Sequence, residues 1–94
     1  MIVGICTIEL HLPGIASLKQ KRSVIKPLLS RIHKTFNVSS AEIDAHDVWQ
    51  SAVIGIAVVS NSTVHARRVL NNILRWIEQN YPDVYISGEN IEIL

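Results

Sequence analysis

An α+β sandwich of β-α-β-β-α-β order is the fold class this sequence predicts, and three observations predict it. Two apolar, β-branched runs, Ile2 to Leu12 and Ser51 to Val59, read as central strands. Each is followed, directly or after a second extended stretch, by apolar residues at helical spacing. The order strand, helix, strand then occurs twice in 94 residues, and the second helix starts about as far into its half as the first does.

The elements follow in chain order. Between Ile2 and Leu12, Glu9 and His11 alternate with Ile8, Leu10 and Leu12, so this central strand emerges into solvent at its far end, and Pro13-Gly14 stops it. Ser17-Leu18-Lys19-Gln20 fits a capping box, in which the Ser17 hydroxyl accepts from a first-turn N–H and Gln20 reaches back to the cap's own N–H. Ile25, Leu28, Leu29, Ile32 and Phe36 form the buried stripe of the helix that begins there. Pro27 lacks an N–H and crowds the preceding turn, which predicts a kink or a loosely wound first turn ahead of a firmer helix from Pro27 to Phe36. Asn37 is a candidate left-handed stop.

Val38 to His46 has the mixed pattern of an edge strand with one wet face. The small, continuous run from Ser51 to Val59 reads as a second central strand. Asn61-Ser62-Thr63 supplies capping oxygens for a helix with Ala66, Leu70, Ile73 and Ile77 inside and Val69, Leu74 and Trp76 widening the stripe, stopped at Asn80, Tyr81 and Pro82. Asp83 to Leu94 is a last strand, broken or bulged at Gly88. Right-handed crossovers interleave the halves into one four-stranded antiparallel sheet of spatial order 4-1-3-2 with both helices on one face. That arrangement is ferredoxin-like, and residues 1–94 make one domain around one core.

Composition bounds the function. Hydrophobic residues at 48% and charged residues at 18% describe a globular chain. A net charge of +1 argues against wholesale capture of nucleic acid, so any such binding must come from local asymmetry. The single cysteine, Cys6, offers no intramolecular disulfide and no redox or zinc motif. The first residues carry neither a basic n-region nor a cleavage site, and Glu9 and His11 cut the apolar run short of a membrane span, so a cytoplasmic address without membrane attachment is expected.

Several activities of such folds lack their residues here. Base stacking on the sheet needs aromatics on the central strands; there are none, and Trp49, just outside the second, is expected to pack at the sheet margin. A metal site needs converging thiolates or imidazoles, whereas His11, His33, His46 and His65 are scattered and only Asp44, His46 and Asp47 crowd together. Acyl-phosphate hydrolysis needs an arginine in the loop after the first strand, and Leu12 to Ala16 contains none. No phosphate-binding glycine loop or nucleophile triad appears either. The expectation is a non-enzyme with no metal, no cofactor and no identified small-molecule substrate; an enzyme using Asp44, His46 and Asp47 would require those side chains to meet in a cleft, where at a strand end they more often cap turns.

The positive signal is uneven charge. From Leu10 to Ala41 there is no acidic residue, yet Lys19, Lys21, Arg22, Lys26, Arg31 and Lys34 lie there, while Glu89 and Glu92 load the last strand. Lys19, Arg22 and Lys26 step by three and four residues and form one helical ridge able to neutralise phosphates; the alternative is a solvated face whose stems cover core edges. Lys21 either joins that ridge or turns away, and Arg67 and Arg68 open the second helix with further charge. A second signal is apolar character on both faces of the central strands, which leaves Val3, Ile5, Val53 and Ala57, or else their alternating neighbours, partly exposed for a second copy or another partner.

Glu9-Leu10-His11-Leu12-Pro13-Gly14, followed by Ser17-Leu18-Lys19-Gln20-Lys21-Arg22, resembles the signature of the YlxP-like family of small bacterial proteins of unknown function. Asp47-Val48-Trp49-Gln50 with Gly55 to Asn61 resembles its second block, with Gln20 where an acid is common and Val48 where leucine is. The resemblance implies a ferredoxin-like fold and a cytoplasmic bacterial protein whose genes often neighbour those of translation initiation and ribosome maturation; it implies no catalytic residues. The resulting expectation is an RNA- or ribosome-associated module using Lys19, Lys21, Arg22 and Lys26, with Arg67 and Arg68. The competing expectation is a homodimeric interaction or small-ligand-binding domain built on the open sheet face.

Overall fold

The computed structural model describes residues 1–94 as β1 (Ile2–His11), α1 (Leu18–Thr35), β2 (Ser39–Asp44), β3 (Ser51–Ser60), α2 (Thr63–Asn80) and β4 (Tyr85–Ile93). All strand pairings are antiparallel and the sheet runs β2-β3-β1-β4, the expected order read from the opposite edge. β1 and β3 pair over their whole length, from Ile2 opposite Ser60 to His11 opposite Ser51.

Strand pleating decides which side chains meet the helices. Cys6, Ile8 and Leu10 of β1 and Ala52, Ile54, Ile56 and Val58 of β3 are buried with Ile25, Leu28 and Ile32 of α1 and Ala66, Leu70, Ile73, Leu74 and Ile77 of α2 in one cluster. Their odd-numbered neighbours Val3, Ile5, Val53 and Ala57 remain half-buried on the other face. Gly4 is the point of closest approach. A β-carbon there would lie 3.1 Å from Val58, 3.2 Å from Leu70 and 3.3 Å from Ala66, so the missing side chain lets α2 settle onto β1.

Both helix starts are capped as their sequences suggest. The Ser17 hydroxyl accepts from Gln20 N–H at 3.1 Å and the Ser62 hydroxyl from His65 N–H at 3.2 Å. The Gln20 carboxamide reaches one residue further back than a standard box, accepting from Ala16 N–H at 2.6 Å.

Three local expectations are corrected. α1 is one helix from Leu18 to Thr35 with Pro27 inside it, so there is no loosely wound first segment ahead of Pro27, which lies on the exposed side where the carbonyl it leaves free can meet water. Asn37 is not a left-handed stop; α1 ends at Phe36, whose backbone turns extended while its ring packs edge-on against Trp76 at 5.9 Å. The bulge in the last strand falls at Ser87, since Glu9 faces Gly88 but Leu10 faces Ile86, and the Glu9 carboxylate occupies the space over Gly88.

Arg31 ties the two helices together. Its guanidinium lies 5.0 Å from the Trp76 ring centroid and 5.2 Å from that of Tyr81, donating to the Tyr81 hydroxyl at 3.1 Å. The close packing at Gly4 predicts that Gly4→Ala lowers stability by about 1–3 kcal/mol, read as a reduced urea midpoint with unchanged far-UV circular dichroism.

Candidate functional site

The charges separate by layer. All nine lysines and arginines lie on the helices: Lys19, Lys21, Arg22, Lys26, Arg31 and Lys34 on α1, and Arg67, Arg68 and Arg75 on α2. Of the eight acids only Glu78 is helical; Glu9, Glu42, Asp44, Asp47, Asp83, Glu89 and Glu92 belong to strands and connections. One ion pair forms in the whole molecule, between Lys21 and Glu42. The other eight cations are exposed without a carboxylate partner, and only Arg31 is committed to neighbouring aromatic rings.

Lys21 must be removed from the candidate phosphate-binding set. It is 2% exposed, its ammonium 2.8 Å from Glu42 Oε2 on β2 and donating to the Ala45 carbonyl at 2.6 Å. The physical reason is its phase on the helix: positions 21, 25, 28 and 32 form the buried stripe of α1, so Lys21 continues inward the line of Ile25, Leu28 and Ile32. That spacing was visible in the sequence and is the signal that identifies it. Lys19, Arg22 and Lys26 remain outside, as do Arg67 and Arg68.

Lys21 instead organises the β2–β3 connection. Ala45 has φ +59°, a left-handed conformation that costs a non-glycine residue about 1–2 kcal/mol. Its carbonyl accepts from both Lys21 and Val48 N–H, and its own N–H donates to the Asp44 carboxylate at 2.7 Å. His46 Nε2 donates to the Glu42 carbonyl at 3.1 Å. Gln50 closes the far end, its carbonyl accepting from Leu12 N–H and its carboxamide donating to Ile15. Asp44 and His46 thus serve loop backbone, while Asp47 is exposed. Trp49, expected to pack at the sheet margin, is instead 50% exposed in the β2–β3 connection and is not among the side chains packed against the core, and Val48 beside it is 49% exposed.

Val3, Ile5, Val53 and Ala57 share the uncovered face of the sheet, so the alternating neighbours are the buried set. Val3 faces Val59, which is 67% exposed, and Ile5 faces Ala57. Ile43, the extra residue of a bulge in β2, lies across Gly55 and covers part of the patch. Glu92 opposite Ile5 and Glu9 opposite Val53 give that face an acidic margin.

Residues 3–90 match the protein family described as "Protein of unknown function (DUF503)". The chain belongs to that family. It is 37% identical over 83 residues to the "Uncharacterized protein YlxP" of Bacillus subtilis (strain 168), covering 88% of this chain and 89% of that protein. Among solved structures, a de novo designed protein with ferredoxin fold, determined by NMR in solution, is similar with a TM-score of 0.60. The two are 11% identical, and the likeness covers 100% of this chain and 84% of the designed one, which establishes the ferredoxin-like fold alone.

In this DUF503 chain no helix is long and apolar enough to cross a membrane. A cleft of about 420 Å³ opens beside the first half of α1, lined mainly by Leu12, Ile15, Val24, Pro27, Tyr81 and Val84, with Asp83 its single charged residue. Cys6 is buried, and burial first, then the negative charge of Glu89, pushes its thiol from 9.0 up to about 11.

The Lys21 contacts and the buried thiol each have a measurable consequence. Lys21→Met leaves the partly buried Glu42 carboxylate and the Ala45 carbonyl without their cation and is expected to cost about 3 kcal/mol in urea unfolding, most of it restored when Glu42→Leu is added. Because the folded state holds the Cys6 proton that the unfolded chain releases near 9.0, stability should fall as pH rises from 9 towards 11. Cys6→Ala removes that part of the decline, and in the native wild type a thiol reagent at pH 8 should react only as fast as the protein opens.

Proposed function

We propose that the protein is a non-enzymatic binding module that docks the outer face of its helix layer on structured RNA, such as that of the ribosome. One observation carries the reading: every lysine and arginine is helical, and all but Lys21 are exposed and free of intramolecular carboxylates. A chain of net charge +1 acquires a strongly basic side only by such segregation. Lys19, Arg22 and Lys26 supply one row of contacts, and Arg67 and Arg68 begin another. Contacts of this kind position a phosphate backbone without reading sequence.

A second reading is supported by the apolar open face. Val3, Ile5, Ala57 and Val59 form an apolar patch that Ile43, lying over Gly55, extends towards Val53 and that a second copy would bury. On that reading the helix charges serve solubility.

Binding to ribosomal subunits and to folded RNA across a salt series tests the first reading, with light scattering on the same samples for the second. The triple variant K19Q/R22Q/K26Q should bind more weakly and lower the slope of log K against log salt by about 2–3 units, roughly 0.7–0.9 for each phosphate no longer neutralised. Wild-type protein that binds no RNA at low salt, or a variant that binds unchanged, refutes the helix-layer reading. A stable dimer that Val59→Asp dissociates supports the second.

A further inference from the structure

The helix layer carries a second, more specific feature on α2. Arg67, Arg68, Asn71, Asn72 and Arg75 line one shallow depression of about 380 Å³ on its outer side, with Thr63 and Val64 at its head. Positions 67, 71 and 75 step by four, and 68, 72 and 75 by four and three, so the five side chains form two adjoining rows about 12 Å long. None of them makes a hydrogen bond or ion pair within the protein, so three guanidinium forks and two carboxamides present their full polar capacity outward. No acid precedes Glu78 on this helix.

We propose that this surface is built for double-stranded RNA, with Arg67, Arg68 and Arg75 on phosphates and Asn71 and Asn72 on ribose 2′-hydroxyls of the minor groove. The inference rests on the reading that the helix layer binds RNA and adds the form of RNA and the residues that recognise it. Flatness is the first support. Both helices lie along the sheet, with buried residues from Lys21 to Ile32 and from Ala66 to Ile77, so neither projects to enter the major groove of DNA. A flat basic face suits the wide, shallow minor groove of an A-form duplex.

The absence of aromatic rings from the α2 depression is the second support. Phe36, Trp76 and Tyr81 pack on one another and on Arg31, while Tyr85 lies beside His11 on the sheet and Trp49 sits in the β2–β3 connection. Splayed single-stranded bases need exposed aromatic faces, and the α2 depression contains none. Residue chemistry is the third. A carboxamide both donates and accepts, as does a 2′-hydroxyl, whereas a surface meant for phosphate alone has no need of asparagine between its arginines. An anionic membrane is a poorer match, since the depression offers a single large apolar side chain, Val64.

The test is fluorescence anisotropy at fixed salt with four probes: an RNA duplex of about 16 base pairs, the same sequence as DNA duplex, one of its RNA strands alone, and anionic phospholipid vesicles. Tighter binding of the RNA duplex than of the other three is expected. N71A/N72A, both at exposed positions, should weaken RNA-duplex binding about 5- to 10-fold, as for the removal of one or two hydrogen bonds, and leave DNA binding and the salt slope unchanged. R67Q/R68Q/R75Q should weaken every nucleic-acid probe and flatten the slope by about 2–3 units. A preference for the single strand or vesicles, or an RNA-to-DNA ratio unmoved by N71A/N72A, overturns this inference while K19Q/R22Q/K26Q still reports on the broader reading. Failure of the wild type to bind any nucleic acid overturns both.

Discussion

Two helices shield only one face of a four-stranded sheet, and the rest of this molecule is organised by that one-sided burial. Period two in the strands sends Ile8, Leu10, Ile54 and Ile56 to the helices and leaves Ile5, Val53 and Ala57 behind. Period 3.6 sends Ile25, Leu28, Leu70 and Ile77 to the sheet and leaves the outer helix faces to water. Lysine and arginine are good helix formers whose stems cover core edges, so they solvate the helix layer at little conformational cost. The acids fall on strands and connections. A nearly neutral protein thereby acquires a basic helix layer and an opposite sheet face on which Glu9 and Glu92 border an apolar patch.

Lys21 is the exception that joins the two layers. Its charge is held inside because three things coincide: a stem long enough to cross from α1 to β2, the Glu42 carboxylate, and the Ala45 carbonyl. A buried pair of this kind adds little net stability against an apolar substitute, since desolvation offsets most of the attraction. Its consequence is positional. It fixes a left-handed residue at the start of the β2–β3 connection, and Gln50 fixes the end, so Val48 and Trp49 are presented on a constrained loop.

The element order and the antiparallel sheet were legible because each element carries its own periodicity and stop signals. Both helix caps were legible for the same local reason: Ser17 and Ser62 satisfy N–H groups within three residues. The misreadings share a different cause. Phe36 turns extended at the end of α1 where its ring meets Trp76, about forty residues away in the chain, edge-on. Trp49 lies in the β2–β3 connection outside the core cluster, a placement that no strand or helix periodicity specifies. The bulge moved to Ser87 because register against β1 is settled between strands and not within one. Lys21 was the avoidable case, since its phase with Ile25, Leu28 and Ile32 was present in the spacing and only its chemical type pointed outward.

By itself the sequence determined which segments are strands and helices, which stripe of each is apolar, and that the basic residues concentrate early in the chain, because these are properties of local spacing. The tertiary structure alone decided that Arg67, Arg68, Asn71, Asn72 and Arg75 stay free in the same layer as the α1 ridge, that Lys21 is engaged by Glu42 and Ala45, and that Val3, Ile5, Val53 and Ala57 are the uncovered set. Those outcomes depend on which face of the sheet the helices cover and on what lies opposite each side chain, and pattern along a chain does not encode the identity of a neighbour across it.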